Sequence, residues 1–181
     1  IDPDLISESL KSAKKKGASF AEAFCEQTSS AGTSLDEKRI DSRTTGLSKG
    51  VGIRVVNNSR VGYAYTSTFT REGLDVAVEA ACASAGVGGS ISPSGKGIDA
   101  NLFKPDAAIK GFESDEFRDP ANVTADRLRE IDDVARSYHS SIAQASATIA
   151  QSQREVLIMN TAGVNVSDTQ TRTRCVVQTI A

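Results

Sequence analysis

The sequence predicts an α+β fold, an antiparallel or mixed curved sheet of about six to seven strands packed against about three helices. Three observations predict it. Leu74, Ala77, Val78, Ala81, Cys82 and Ala85 recur at the period of an amphipathic helix. Gly50 to Val56 and Arg60 to Ser67 are β-rich runs separated by Asn57-Asn58-Ser59, residues that accept the left-handed conformations of a hairpin turn. The strand-like runs are joined by connections of hairpin length, which argues against regular βαβ winding.

In chain order, Asp4 to Lys16 carries Leu5, Ile6, Leu10 and Ala13 at helical spacing, with Asp2 and Pro3 as start signals and Gly17 as the stop. Ala21, Ala23 and Cys25 then alternate with Glu22, Phe24 and Glu26, and Thr33 to Ile40 is a more polar extended run; the two are read as an antiparallel pair. The Gly50–Ser67 hairpin and the Leu74–Ala85 helix follow, the helix with a narrow stripe of small residues suited to close packing on a sheet. Residues 86–120 are rich in Gly, Ser, Pro and Asp without sustained periodicity and read as a long surface connection. A helix from about Thr124 through Leu128, Ile131, Ala135 and Tyr138 precedes three extended runs, Ile142 to Ser152, Glu155 to Asn160 and Thr169 to Ala181, with Thr161-Ala162-Gly163 as a turn. No internal repeat is evident, and residues 1–181 read as one domain.

The 181 residues are 24% charged and 39% hydrophobic, with a net charge of −2, an ordinary globular profile. With no Trp, the core must be built from Ala, Val, Ile and Leu. The small negative charge argues against direct nucleic-acid binding, which needs surplus Lys and Arg. The basic run Lys14-Lys15-Lys16 sits at a helix end, where cations complement the dipole. No apolar stretch approaches the roughly 20 residues of a membrane span, and Ile1 to Leu10 is not a secretory signal. Cys25, Cys82 and Cys175 are odd in number and widely spaced, so they read as buried thiols in a reducing compartment.

No local constellation for catalysis or metal binding emerges. His139 is the one histidine, which rules out a two-His metal site within the chain and reads as a helix cap. Adjacent His139 and Ser140 point in different directions on a helix. The glycine-rich segments, Gly46 to Gly52 and Gly86 to Gly97, lack the spacing of a phosphate loop. Glu130, Asp132 and Asp133 read as a solvated helix face, and Arg172 and Arg174 as a charged outer face of the last strand, with anion binding as the alternative.

Taken together, Ala21-Glu22-Ala23, Gly50-Val51-Gly52-Ile53-Arg54-Val55, Gly62-Tyr63-Ala64-Tyr65-Thr66 and the Leu74–Ala85 helix resemble the amino-terminal domain of the TldD/PmbA family, often labelled modulator of DNA gyrase. Glu155 to Gly163, followed by Asp168 and Thr171-Arg172-Thr173-Arg174, resembles the close of that domain. The likeness spans nearly the whole chain, and Glu22, Gly50, Gly52, Arg54, Gly62 and Gly163 are its structural motif residues. Gly62 to Thr66 and Thr171 to Arg174 look more like the TldD branch than the PmbA branch.

The resemblance implies a cytoplasmic protein that forms a homo- or hetero-dimer with a TldD/PmbA-type subunit around a cavity, and that processes peptides or degrades unfolded polypeptides. Members of the TldD branch are metal-dependent peptidases. Zinc or another divalent metal is expected on a His-Glu-x-x-x-His helix in a carboxy-terminal domain absent from this chain. The chain itself is expected to carry no cofactor and no catalytic residue, and to shape the substrate cavity. It begins without Met and stops inside a strand-like run, as an excised domain would. Strand edges around Gly50 to Val55 are the expected place for an extended peptide to add. The alternatives are a PmbA-like partner without metal and a protein-interaction module that contacts DNA gyrase.

Overall fold

A computed structural model describes residues 1–88 and 120–181 of the chain. The long connection expected over 86–120 lies, from residue 89 to 119, outside the described residues. The elements run α1 (Pro3–Lys15), β1 (Phe20–Asp36), β2 (Arg39–Asn57), β3 (Arg60–Thr66), α2 (Arg71–Ser84), α3 (Pro120–Ser137), β4 (Gln144–Asn160) and β5 (Asn165–Ile180). The strands form one antiparallel sheet in the order β3-β2-β1-β4-β5. The fold is α+β, as its periodicities predict.

Five strands replace the six to seven expected. The runs read over 21–26 and 33–40 are not partners: 21–26 and 33–36 are two parts of the 17-residue β1, and Arg39 and Ile40 already belong to β2, because the polar segment between the two parts stays in the ladder, flanked by β2 and β4. Sheet context overrides its weak strand propensity. The β1–β2 turn falls instead at Glu37 and Lys38, whose φ values of +45° and +66° supply the left-handed geometry of a tight hairpin without glycine. Likewise the runs read over 142–152 and 155–160 are one strand, β4. The β2–β3 hairpin forms as predicted, with Asn57 opposite Arg60 and Asn58 at φ +55°.

Asp2 caps α1, its Oδ1 accepting from the Asp4 and Leu5 amides at 3.0 and 3.4 Å, and Gly17 ends the helix at φ +105°. The basic run at its end is used for packing: Lys14 donates to the Ser19 carbonyl at 2.9 Å, and Lys16 pairs with Glu79 at 3.2 Å.

The chain divides into two compact units, among described residues 1–27, 49–88 and 155–168 in the first and 28–48, 120–154 and 169–181 in the second. In the first, Ile6, Leu10 and Ala13 of α1 and Leu74, Val78 and Ala81 of α2 bury against Ala21, Ala23, Val51, Ile53, Val55 and Leu157. Strand alternation puts all these sheet residues on one face. Gly62 shares that face, and a methyl group there would stand 2.0 Å from the Ala81 carbonyl oxygen, so α2 rests directly on β3 backbone. In the second unit the core is smaller: Leu35, Leu128 and Ala147, with Ile40, Ile131 and Ile149 packed around them. Asp132 is also buried there, at 1% exposure. The acidic cluster of α3 is therefore not uniformly solvated, because Arg136 neutralises its middle member.

Candidate functional site

In the first unit, four of the six motif residues converge on the sheet face turned away from α1 and α2. Glu22 on β1 and Arg54 on β2 form an ion pair at 3.0 Å, and the Arg54 guanidinium lies 5.8 Å from the centre of the Phe20 ring. Gly50 and Gly52 lie on the same face under the rings of Tyr65 and Tyr63; a methyl group would meet the Tyr65 ring at Gly50 and the Tyr63 hydroxyl at Gly52. Both tyrosines are exposed, as is Phe24 on β1, which makes this an aromatic, solvent-facing surface. The glycines give the rings a flat seat. The pattern was present in the sequence as Gly-x-Gly opposite Tyr-x-Tyr at a shared period of two, and the register given by the hairpin turn would have found it.

The other two motif residues serve elsewhere. Gly62 faces α2. Gly163 lies in the β4–β5 turn at φ +100°, a conformation that glycine alone adopts freely, and the Asn160 side chain closes that turn by accepting from the Ala162 and Val164 amides at 2.9 and 3.1 Å. Thr161 anchors the turn to β1 through its Oγ1, which accepts from the Ala21 amide at 3.0 Å.

The strand edge expected to receive an extended peptide is already occupied. From Val51 to Asn57, β2 pairs with β3, Val51 opposite Thr66 and Val55 opposite Gly62. No ladder position is open there.

In the second unit the helix-free face carries a depression of about 690 Å³, floored by small residues including Gly32 and Ala150 and lined by Ser30, Ser152, Arg172 and Arg174. A methyl group on Gly32 would contact Thr44 Oγ1 at 3.2 Å and the Ala150 methyl at 3.6 Å, so the floor is already close-packed at glycine size.

Among the described residues the titratable groups do not assemble a metal centre. Among the described residues no cluster of three or more His, Cys, Asp or Glu could hold an ion. His139 Nδ1 is engaged locally, accepting from the Ser141 amide at 3.1 Å with Ser141 Oγ at 2.8 Å, a turn-closing arrangement. Burial pushes the Cys25 thiol up to about 11 and the Cys82 thiol upward as well, the reverse of what a nucleophile or metal ligand needs. Cys175 is exposed, contrary to the reading of all three cysteines as buried. The donor set described here does not fit a divalent metal.

Residues 21–85 match the model described as PmbA/TldA metallopeptidase domain 1, and residues 114–181 match the PmbA/TldA metallopeptidase central domain. The chain therefore belongs to the TldD/PmbA family, from its amino-terminal region. It is 29% identical over 136 residues, 74% of its length, to the metalloprotease TldD homolog of Haemophilus influenzae, and spans 27% of that protein. Among solved structures, it resembles a candidate modulator of DNA gyrase from Thermotoga maritima (TM-score 0.66, 15% identity, 96% of this chain and 41% of that one). It also resembles TldE from Thermococcus kodakarensis (TM-score 0.60, 14% identity, 92% of this chain and 37% of that one). At those identities the likeness is one of fold. No described helix is long and apolar enough to cross a membrane.

Proposed function

We propose that this chain is the noncatalytic amino-terminal part of a TldD-like, metal-dependent peptidase that matures peptides or degrades unfolded polypeptides. One observation carries the reading: both matched segments are the first and central domains of a metallopeptidase family, and they account for only part of the length of the relatives. The chain shapes the substrate cavity and the contact with a second TldD/PmbA-type subunit. Zinc or another divalent cation binds on residues outside it, in a carboxy-terminal domain, because His139 is its single histidine. Three unpaired cysteines support a reducing, cytoplasmic setting.

The test is to express the protein encoded by the parent reading frame and compare it with residues 1–181. The longer protein is expected to carry a His-Glu-x-x-x-His helix, to bind about one equivalent of metal and to hydrolyse unfolded peptides, while residues 1–181 do neither. Hydrolysis by residues 1–181 alone would overturn the reading. A second reading is a PmbA-like partner without metal; a parent frame lacking the motif would select it. Co-purification with DNA gyrase would instead support an interaction module.

A further inference from the structure

Arg172 and Arg174 lie on the same face of β5, separated by about 7 Å along the strand at the ordinary rise per residue. Both are exposed, and neither takes part in an ion pair among the described residues. Both line the depression of about 690 Å³, within the range of sites that hold a small ligand or a few residues of peptide.

Among the described residues, no acidic side chain lines the depression. The acidic residues described on the strands and turn of this unit are Asp36, Glu37 and Asp41, grouped at the β1–β2 hairpin end, and Glu37 is itself held by Arg136 at 3.1 Å. The floor is short-chained: Gly32 and Ala150 let a ligand backbone approach the sheet, while Ser30, Thr44 and Ser152 present hydroxyls that can donate or accept. Planar guanidinium forks above donor hydroxyls match a carboxylate, which accepts two parallel hydrogen bonds from one arginine. The lining contains no aromatic ring, so it lacks the stacking platform with which proteins hold single-stranded nucleic acid.

We propose that this depression is a carboxylate-recognition site for acidic peptides, with Arg172 and Arg174 as its specificity-determining residues. The proposal rests on the peptidase reading above and deepens it. Charge complementarity selects the occupant: an extended segment bearing Asp or Glu lies over the Gly32–Ala150 floor and places its carboxylates between the two guanidinium groups. The ligand is bound here and not cleaved here.

Fluorescence anisotropy tests it, using residues 1–181, a fluorescein-labelled six-residue peptide rich in Asp and Glu, and its Asn and Gln counterpart with an amidated end. The acidic peptide is expected to bind at least about tenfold more tightly, with an advantage that shrinks as salt rises. R172Q and R174Q should each weaken it severalfold, and the double variant should bind both peptides alike. R127Q, an equal charge change on the exposed face of α3, should leave the preference intact, and circular dichroism of each variant shows that the fold survives.

An undiminished preference in the double variant overturns the proposal. So does equal binding of the two peptides by the unmodified chain, or tighter Arg172- and Arg174-dependent binding of a single-stranded oligonucleotide. Displacement by millimolar inorganic phosphate as effective as by the acidic peptide makes it a general anion site and also overturns the assignment. Failure here is separable from failure of the peptidase reading, which is scored by metal content and hydrolysis in the longer protein.

Discussion

Arg136 Nε donates to Asp132 Oδ2 at 3.0 Å, one helical turn back along α3, over a carboxylate that is 1% exposed. The same guanidinium reaches the β1–β2 turn, pairing with Glu37 at 3.1 Å and donating to the Ala145 carbonyl at 3.4 Å. These contacts, the Asp132 hydrogen bond first, raise the arginine pKa above its ordinary value. One side chain thus ties α3 to β4 and to the β1–β2 turn.

Removing that side chain leaves a charge buried without its partner, which is far costlier than losing an exposed pair. R136M is expected to lower the apparent melting temperature by roughly 5–10 °C. E37Q, on a half-exposed residue, should shift it by no more than about 2 °C. Thermal unfolding followed by circular dichroism checks the order; equal effects would show that the Asp132 contact contributes nothing special.

The motif glycines separate by what a methyl group would meet. At Gly62 it meets α2 backbone, which cannot move without lifting the helix, so G62A should cost about 3 kcal/mol. At Gly52 it meets the end of Tyr63, an exposed ring free to swing aside, so G52A should cost less than about 1 kcal/mol. Urea midpoints at unchanged m-value would measure the difference. A reversed order would mean that the Tyr63 seat, and not the α2 contact, is the rigid one.

The two glycines also show what sequence reading could and could not reach. Helix positions were legible because each helix buries a stripe with one period: Leu74, Ala77, Val78 and Ala81 all lie in the core. The β2–β3 hairpin was legible because Asn57-Asn58 is local turn chemistry. The β1–β2 turn was not, since Glu37-Lys38 carries no glycine, and left-handed φ values there are imposed by the paired strands on either side. Nor was the continuity of β1, whose ladder depends on neighbours more than a hundred residues away, such as Thr148, 3.1 Å from Ser34. The candidate site was half legible: period-two alternation placed Arg172 and Arg174 together, but only the register across β4 and β1 sets them beside a floor of Ala150 and Gly32. Asp132 was misread because its exposure is decided by Arg136, not by its acidic neighbours.

Thiol chemistry should sort the three cysteines. Cys25 and Cys82 are buried with raised pKa values, whereas Cys175 is exposed on β5. At pH 8 the native chain should react with a chromogenic disulfide reagent at one thiol quickly, and at all three in denaturant; C175S should abolish the fast phase. Cys25, raised from 9.0 to about 11, gives a second readout. The folded state holds that proton more tightly, so its contribution is fully present below pH 9 and is lost as pH rises toward 11. C25A should flatten that alkaline decline; a decline unchanged in C25A would assign it to other groups.

Glu72 gives the opposite sign at the acid end. Its carboxylate sits in the first turn of α2, where its own backbone amide, then the Thr70 hydroxyl, hold its pKa below the ordinary value. A depressed pKa means stability that is complete above the unfolded value of about 4.5 and lost as pH falls through the folded one. E72Q should therefore bring stability at neutral pH down slightly and make it less dependent on pH below 4.5, as read from urea midpoints between pH 3 and 7. A steeper acid decline in E72Q would show the sign to be wrong.

The smaller core makes the last prediction. Leu128 is fully buried, and among the described residues its cluster includes only Leu35 and Ala147 as other buried members, so few of these neighbours can collapse into a hole. Deleting three carbons and their attached hydrogens from such a site costs about 2–5 kcal/mol, near the upper end where relaxation is limited. None of those residues belongs to the cluster around Leu74 and Ile53. L128A should therefore strip hydrogen-exchange protection from α3 while α2 amides keep theirs. Equal loss in both helices would show that the two clusters unfold as one cooperative unit.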